Sequence, residues 1–127
     1  MKRSDQPYAV LKQNFPADIL KRAQAIFGRD YQMGIVVEEC SELQKALLKN
    51  TNRKKDNLDE IIDETTDVYI GLLHVVLSYD INGPVAARVR DKLTRLDERL
   101  KIRESSKDLA EYTRRCAEAK QEKNQGR

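Results

Sequence analysis

Two stretches of this chain, residues 36–47 and 61–76, space their apolar side chains by about one helical turn, and each carries acids beside the apolar line. On a wheel of about 100° per residue, Val36, Cys40, Leu43 and Leu47 form the first stripe. Ile61, Thr65, Val68, Leu72 and Val76 form the second. Glu39 and Glu42 flank the first stripe at roughly 60° and 120° to one side, and Glu64 and Asp67 repeat those offsets beside the second. A carboxylate close to a packing seam costs free energy unless something compensates it. One acid pair three residues apart is common on a solvated helix face. Two matched pairs are much harder to reach by accident, because like charges a turn apart destabilise a helix. Antiparallel packing of the two segments would bring four acids together with no basic side chain between them, and a hard divalent cation is the natural counter-charge.

The remaining sequence agrees with a helical chain. It has 127 residues, enough for one domain with a core, and only 5 Gly, 3 Pro and no Trp, which argues against a β-sandwich or barrel. A net charge of +3 does not by itself imply nucleic acid. Its distribution is more informative. Between Leu58 and Asp80 stand the acids Asp59, Glu60, Asp63, Glu64, Asp67 and Asp80 with no Lys or Arg, whereas the chain beyond Ile81 is rich in Lys and Arg. Cys40 and Cys116 do not make a disulfide framework, and two thiols fit a reducing compartment. Neither has a Cys or His at ligand spacing, which argues against a zinc site. No apolar leader follows Met1, and the longest apolar run, residues 68–77, is too short to span a membrane, so the expected location is cytoplasmic.

Along the chain the expected organisation is all-α: a four-helix bundle with an additional C-terminal helix. Residues 1–15 read as an irregular N-terminal segment in which Tyr8, Val10 and Leu11 pack on the body. Residues 16–104 read as the helical domain, and 105–127 as a charged C-terminal helix with a disordered tail from Lys123. Pro16 suits the start of a helix that Gly28 stops, and a long helix follows from about Asp30 to Lys49. A polar loop covers residues 50–56. Asn57 with Glu60 predicts an N-terminal cap for a helix over 58–79. Asn82-Gly83-Pro84 breaks the chain and opens a helix striped by Val85, Val89, Leu93, Leu96 and Leu100, which Ser105-Ser106 ends before a last helix over 107–121. The stripes are wide enough that a single small bundle would leave apolar surface wet, which predicts a homodimer or homotetramer.

Oxygen ligands from Glu and Asp select Mg²⁺, Mn²⁺ or Ca²⁺ over soft metals. A di-iron bundle needs Glu-x-x-His on two helices, but this chain has one His, with Gly71 three before it. An EF-hand needs a twelve-residue loop with a central Gly, and residues 50–57 contain none. Mg²⁺ is usually bound together with substrate phosphates. The run Glu38-Glu39-Cys40-Ser41-Glu42-Leu43, then Glu64-Thr65-Thr66-Asp67 ahead of an apolar run, resembles the MazG-like all-α nucleoside triphosphate pyrophosphatases, a superfamily that includes dimeric dUTPases and dCTP pyrophosphatases. The likeness covers residues 32–77 and extends loosely over 85–100. It implies Mg²⁺-dependent hydrolysis of a nucleoside triphosphate, with Mn²⁺ able to substitute, to the monophosphate and pyrophosphate. It also implies that Glu39, Glu42, Glu64 and Asp67 ligate the metal. Glu38 holds the first acidic position of that motif, and Glu38 or Glu39 is the candidate base for the attacking water.

Other residues have simpler readings beside functional ones. Lys49, Arg53, Lys54, Lys55, Lys92, Arg95 and Arg99 are candidate phosphate contacts, each weighed against a solvated surface cation. Glu60 and Asp63 are candidates for a second metal against an acidic helix start. Phe27, Tyr31 and Tyr69 are candidates to stack on a nucleobase against core packing, and His74 reads as a satisfied helix residue rather than a base. Two rival functions stand beside the pyrophosphatase. One is a non-catalytic helical module for protein interaction, and the other is a nucleic-acid binder using the basic C-terminal half. The acids Asp97, Glu98, Glu104 and Glu111 and the lack of interleaved aromatics count against the second.

Overall fold

The computed structural model describes residues 17–126, which form four α-helices and, among the described residues, no strand. These are α1 (Ala17–Phe27), α2 (Arg29–Thr51), α3 (Leu58–Tyr79) and α4 (Asn82–Gln125). The expectations for residues 1–15, for Pro16 and for the final Arg127 lie outside the described residues. The chain divides into two compact units, Met1–Asn82 and Gly83–Arg127.

In the first unit, a single residue turns the chain between α1 and α2. Gly28 has φ 85°, in the left-handed region that side chains with a Cβ avoid. Its N–H donates to the Gln24 carbonyl at 2.9 Å, and its own carbonyl accepts from the Gln32 N–H at 3.2 Å. The α2–α3 pair is the body of the unit. Its contacts run antiparallel, since Lys49 meets Glu60, Ala46 meets Asn57, and Val36 meets Gly71. The core on this seam is thin. Val36 and Ala46 are the buried apolar residues, joined by Gly71 and by the polar Gln32 and His74.

The seam on α3 is rotated from the stripe expected on the wheel. Thr65 and Leu72 lie exposed, while Gly71 and His74 are buried. The physical reason is that close approach and hydrogen bonding, not apolar content, set this face. Gly71 admits Val36, and Gln24 reaches across from α1. The Gln24 Nε2 donates to the His74 carbonyl at 3.1 Å and to Ser78 Oγ at 2.6 Å, and it stands 3.4 Å from His74 Nδ1. His74 is therefore a satisfied helix residue, as its place in the sequence suggests.

The ends of α3 are set by two different devices. At its start Asn57 occupies the cap position, but its side chain makes no cap bond. Its Nδ2 donates instead to the Ala46 carbonyl of α2 at 2.9 Å and to Glu60 Oε2 at 3.0 Å. The expected capping box is thus replaced by a tether between helices. At its end Asp80 adopts φ 51°, with its N–H on the Leu77 carbonyl and the Ile81 N–H on the Val76 carbonyl. That pair of bonds is a Schellman closure, usually given to glycine.

The second unit is built on α4, one helix of 44 residues that continues through Ser105 and Ser106. The separate helix expected from residue 107 is not formed, and the helix persists to Gln125 where disorder is expected from Lys123. Two serines alone do not stop a helix, since each costs only about 0.5 kcal/mol relative to alanine. The Ser106 hydroxyl is also satisfied within the helix by donating to the Ile102 carbonyl at 2.9 Å. Ion pairs one turn apart, Lys101–Asp97, Arg115–Glu111 and Arg114–Glu118, support its flanks. No helix among the described residues is long and apolar enough to cross a membrane.

Candidate metal centre

Halfway along the α2–α3 seam the apolar contact gives way to charge. Glu39 stands one turn beyond Val36 on α2, and Asp67 stands one turn before Gly71 on α3, so the close contact between Val36 and Gly71 holds the two acids in adjacent layers. Glu64 lies one turn further back on the same side of α3. One carboxylate oxygen from each of Glu39, Glu64 and Asp67 can be chosen so that all three lie within 4.8 Å of one another. Glu39 and Glu64 are half-buried and Asp67 is exposed, so the cluster sits at the rim of the seam, open to solvent on one side.

The electrostatics are those of a cluster without a counter-charge. Partial burial, and then the charges of Asp67, Glu64, Glu38 and Glu42, hold the Glu39 carboxyl above the usual range. Burial, then Glu42 and Asp67, push Glu64 up as well. Three converging carboxylates of this kind fit a hard divalent cation in donor type. In distance they approach a fit, since oxygens on one octahedral Mg²⁺ stand about 3–4 Å apart and closure of up to about 2 Å is needed.

The fourth expected ligand behaves differently. Glu42 is outside the cluster of three and accepts a hydrogen bond from Lys45 at 2.8 Å. Lys45 is the residue that sequence reasoning missed. Its signal was present, because a cation three residues after an acid on one helix can neutralise it. The Lys45 ammonium is in turn held above its ordinary range by that hydrogen bond. Glu38, the residue before Glu39, is exposed.

The candidate phosphate contacts separate into groups. Lys49 and Arg53 line an open depression of about 380 Å³ together with Lys45, Leu48 and Asn52. Within it Lys49 is committed to Glu60 at 2.5 Å, and that bond, with the one from Asn57, holds the Glu60 carboxyl below its usual range. Glu60 is therefore engaged by Lys49 and Asn57 in this structure. Lys54 takes φ 54° in the α2–α3 loop, and the Lys55 N–H donates to the Lys49 carbonyl at 3.2 Å, which folds the loop back onto the end of α2. Lys92, Arg95 and Arg99 are exposed on α4 in the second unit.

The aromatic candidates are not core residues. Phe27 and Tyr31 are each 57% exposed and stack on one another with ring centres 5.5 Å apart, and Arg29 lies over the Tyr79 ring. Tyr69 is half-buried on α3. No protein-family model matches this chain, and neither a curated protein nor a solved structure matches it.

Proposed function

We propose that the protein is a Mg²⁺-dependent nucleoside triphosphate pyrophosphohydrolase, converting a (d)NTP and water to the (d)NMP and pyrophosphate. The observation that carries this reading is the convergence of Glu39, Glu64 and Asp67 from two helices within 4.8 Å. The likeness of the two acidic motifs to MazG-like pyrophosphatases supports it. Glu39, Glu64 and Asp67 would hold the cation, and Glu42 joins them if Lys45 yields it to a ligand. A divalent ion bound there supplies positive charge to the triphosphate oxygens and stabilises the leaving pyrophosphate.

The chain's own residues supply the rest. Lys45 and Lys49 on α2, with Arg53 just past its end, line one depression and would bind phosphate oxygens remote from the reacting centre once Lys45 and Lys49 release Glu42 and Glu60. Glu38 accepts the proton of the water that attacks the α-phosphorus, while the bond from that phosphorus to the bridging oxygen of the pyrophosphate breaks. The exposed apolar surface of the first unit, including Ile26, Val37, Leu48, Leu58, Ile62 and Leu72, is closed by self-association into a homodimer or homotetramer.

Pyrophosphate release from a panel of NTPs and dNTPs, measured with Mg²⁺ and with EDTA, tests the reaction. Release that requires Mg²⁺ and disappears in Glu39→Ala and Asp67→Ala, with helix content unchanged, is the expected result. No release across the panel, with no Mg²⁺-induced rise in melting temperature, overturns it in favour of a non-catalytic interaction module.

A further inference from the structure

We infer that α4 pairs in parallel with α4 of a second copy of this chain along residues 86–104. The inference deepens the self-association proposed above and is independent of the chemistry at the acidic cluster. Because α4 is continuous, its pattern can be read as one heptad frame. Ala86, Leu93 and Leu100 fall at a positions, and Val89 and Leu96 at d positions, which gives an unbroken apolar seam. Val89, Leu93, Leu96 and Leu100 are 43–59% exposed, so this seam is uncovered. Arg103 at the next d and Lys107 at the next a end it.

The charges beside the seam select both the partner and its direction. Lys92 and Arg99 take successive g positions on one border, and Asp97 and Glu104 take successive e positions on the other. In a parallel pair, each g residue faces the e residue five positions further along the partner. Lys92 then meets Asp97 of the second copy, and Arg99 meets Glu104, with both contacts repeated by symmetry. An antiparallel pair that stacks Leu93 on Leu96 would set Lys92 against Arg99, which is repulsive, and Asp97 against Arg90 at the preceding e position, so it gains on one border only where the parallel pair gains on both. Lys92, Arg99 and Glu104 have no ion-pair partner among the described residues. Asp97 receives Lys101 of its own helix at 2.7 Å through Oδ2, with both side chains exposed.

Other occupants fit less well. An anionic membrane favours cations on both borders of an apolar stripe, and here one border carries Asp97 and Glu104. A nucleic-acid backbone would pair with the cations and leave the leucines wet. The seam spans about 28 Å but fewer than the three heptads that a free-standing coiled coil needs, so it adds to an association that the first unit also drives.

Cysteine cross-linking in the full chain tests the pairing, in a Cys116→Ser background. Leu96→Cys at a d position is expected to oxidise readily to a disulfide-linked dimer, and Ser105→Cys, at an outward f position of the same helix, is not. Lys92→Glu/Arg99→Glu is expected to weaken self-association by about tenfold or more. Adding Asp97→Lys/Glu104→Lys to the same chain restores it. Equal cross-linking of the two cysteine variants, or no restoration by the swapped charges, overturns the proposal. If sedimentation shows such chains still oligomeric, only the α4 pairing falls and self-association stands. A monomer at all concentrations removes both, and leaves the α4 seam to be covered by its own chain.

Discussion

A methyl group placed on Gly71 would stand 3.2 Å from Val36 Cγ2, closer than ordinary van der Waals contact. That spacing sets how near α2 and α3 approach beside the acidic cluster, since Val36 precedes Glu39 by one turn and Gly71 follows Asp67 by one turn. A glycine inside a helix costs about 1 kcal/mol relative to alanine. Gly71→Ala is therefore expected to give clearly less than that gain, because Val36 must shift by a few tenths of an ångström to admit the methyl. Gly71→Leu is expected to lose about 1–3 kcal/mol by overpacking and to weaken divalent-ion binding by spreading the helices. Urea denaturation of both variants, with and without Mg²⁺, measures the two effects. A full alanine gain, with Mg²⁺ binding unchanged in Gly71→Leu, would mean that this contact does not set the spacing.

Neutralising the cluster should have opposite consequences with and without metal. The Glu64 carboxyl titrates above its ordinary value of 4.5, through burial and then its acidic neighbours. A raised carboxyl pKa means stability that is present below the unfolded value and lost as pH rises through the folded one. Metal-free Glu64→Gln is accordingly expected to melt higher than the parent at pH 7. The parent gains stability from a bound ion by mass action, about 2.7 kcal/mol at a hundred times its Kd, and Glu64→Gln loses most of that gain. Calorimetry in EDTA and in a Mg²⁺ series reads both signs. A variant that melts lower in EDTA, or responds to Mg²⁺ like the parent, contradicts the assignment.

Burial moves His74 in the other sense, below its ordinary value of 6.5. The unfolded chain then takes up a proton first as pH falls. The contribution of neutral His74 is fully present above about pH 6.5 and is lost as pH drops through the folded value. Gln24, which reaches its ring from α1, carries no charge to offset an imidazolium. His74→Gln should flatten this part of the curve. The difference in melting temperature between parent and variant, followed from pH 7.5 to 5.5, isolates it from the opposing titration of the carboxylates. A constant difference would assign the pH dependence elsewhere.

How far the sequence carries is visible on α3. Its bounds were legible, because a polar loop ends at Asn57 and Asn82-Gly83-Pro84 follows, and the helix occupies Leu58–Tyr79. Its inward face was not. Apolar periodicity nominates Thr65 and Leu72, whereas the seam is made by a glycine that removes a side chain and a histidine that is hydrogen-bonded, and neither registers as apolar. The acidic cluster was three-quarters legible for a related reason. Glu39, Glu64 and Asp67 were nominated by their matched acid spacing, although on α3 the stripe from which that spacing was measured is not the seam, and the local pairing of Glu42 with Lys45 competes with convergence. The continuity of α4 was not legible, because paired serines serve equally as a cap or as helix interior.

Asp80 offers a stabilising substitution. It closes α3 with φ 51°, a conformation that costs a residue with a Cβ about 1 kcal/mol and glycine almost nothing. Its carboxylate also sits at the negative end of the helix dipole. Asp80→Gly is expected to gain about 0.5–1 kcal/mol, net of the larger chain entropy of an unfolded glycine. An equilibrium melt decides it, and a loss would show that the Asp80 side chain contributes more than its backbone strain removes.

The continuity of α4 can be tested by the sign of one double substitution. Within an unbroken helix, Ser105→Ala/Ser106→Ala replaces two weak helix formers by the best one and is expected to favour the helix by up to about 0.5 kcal/mol at each site. At a helix start the same change removes a cap and costs about 1 kcal/mol. The Ser106 hydroxyl already bonds the Ile102 carbonyl one turn back, which is an interior bond and not a cap. Amide exchange over residues 103–113 reads the local effect where a global melt would dilute it. Slower exchange in the variant supports one helix across this point, and faster exchange restores the break between residues 104 and 107.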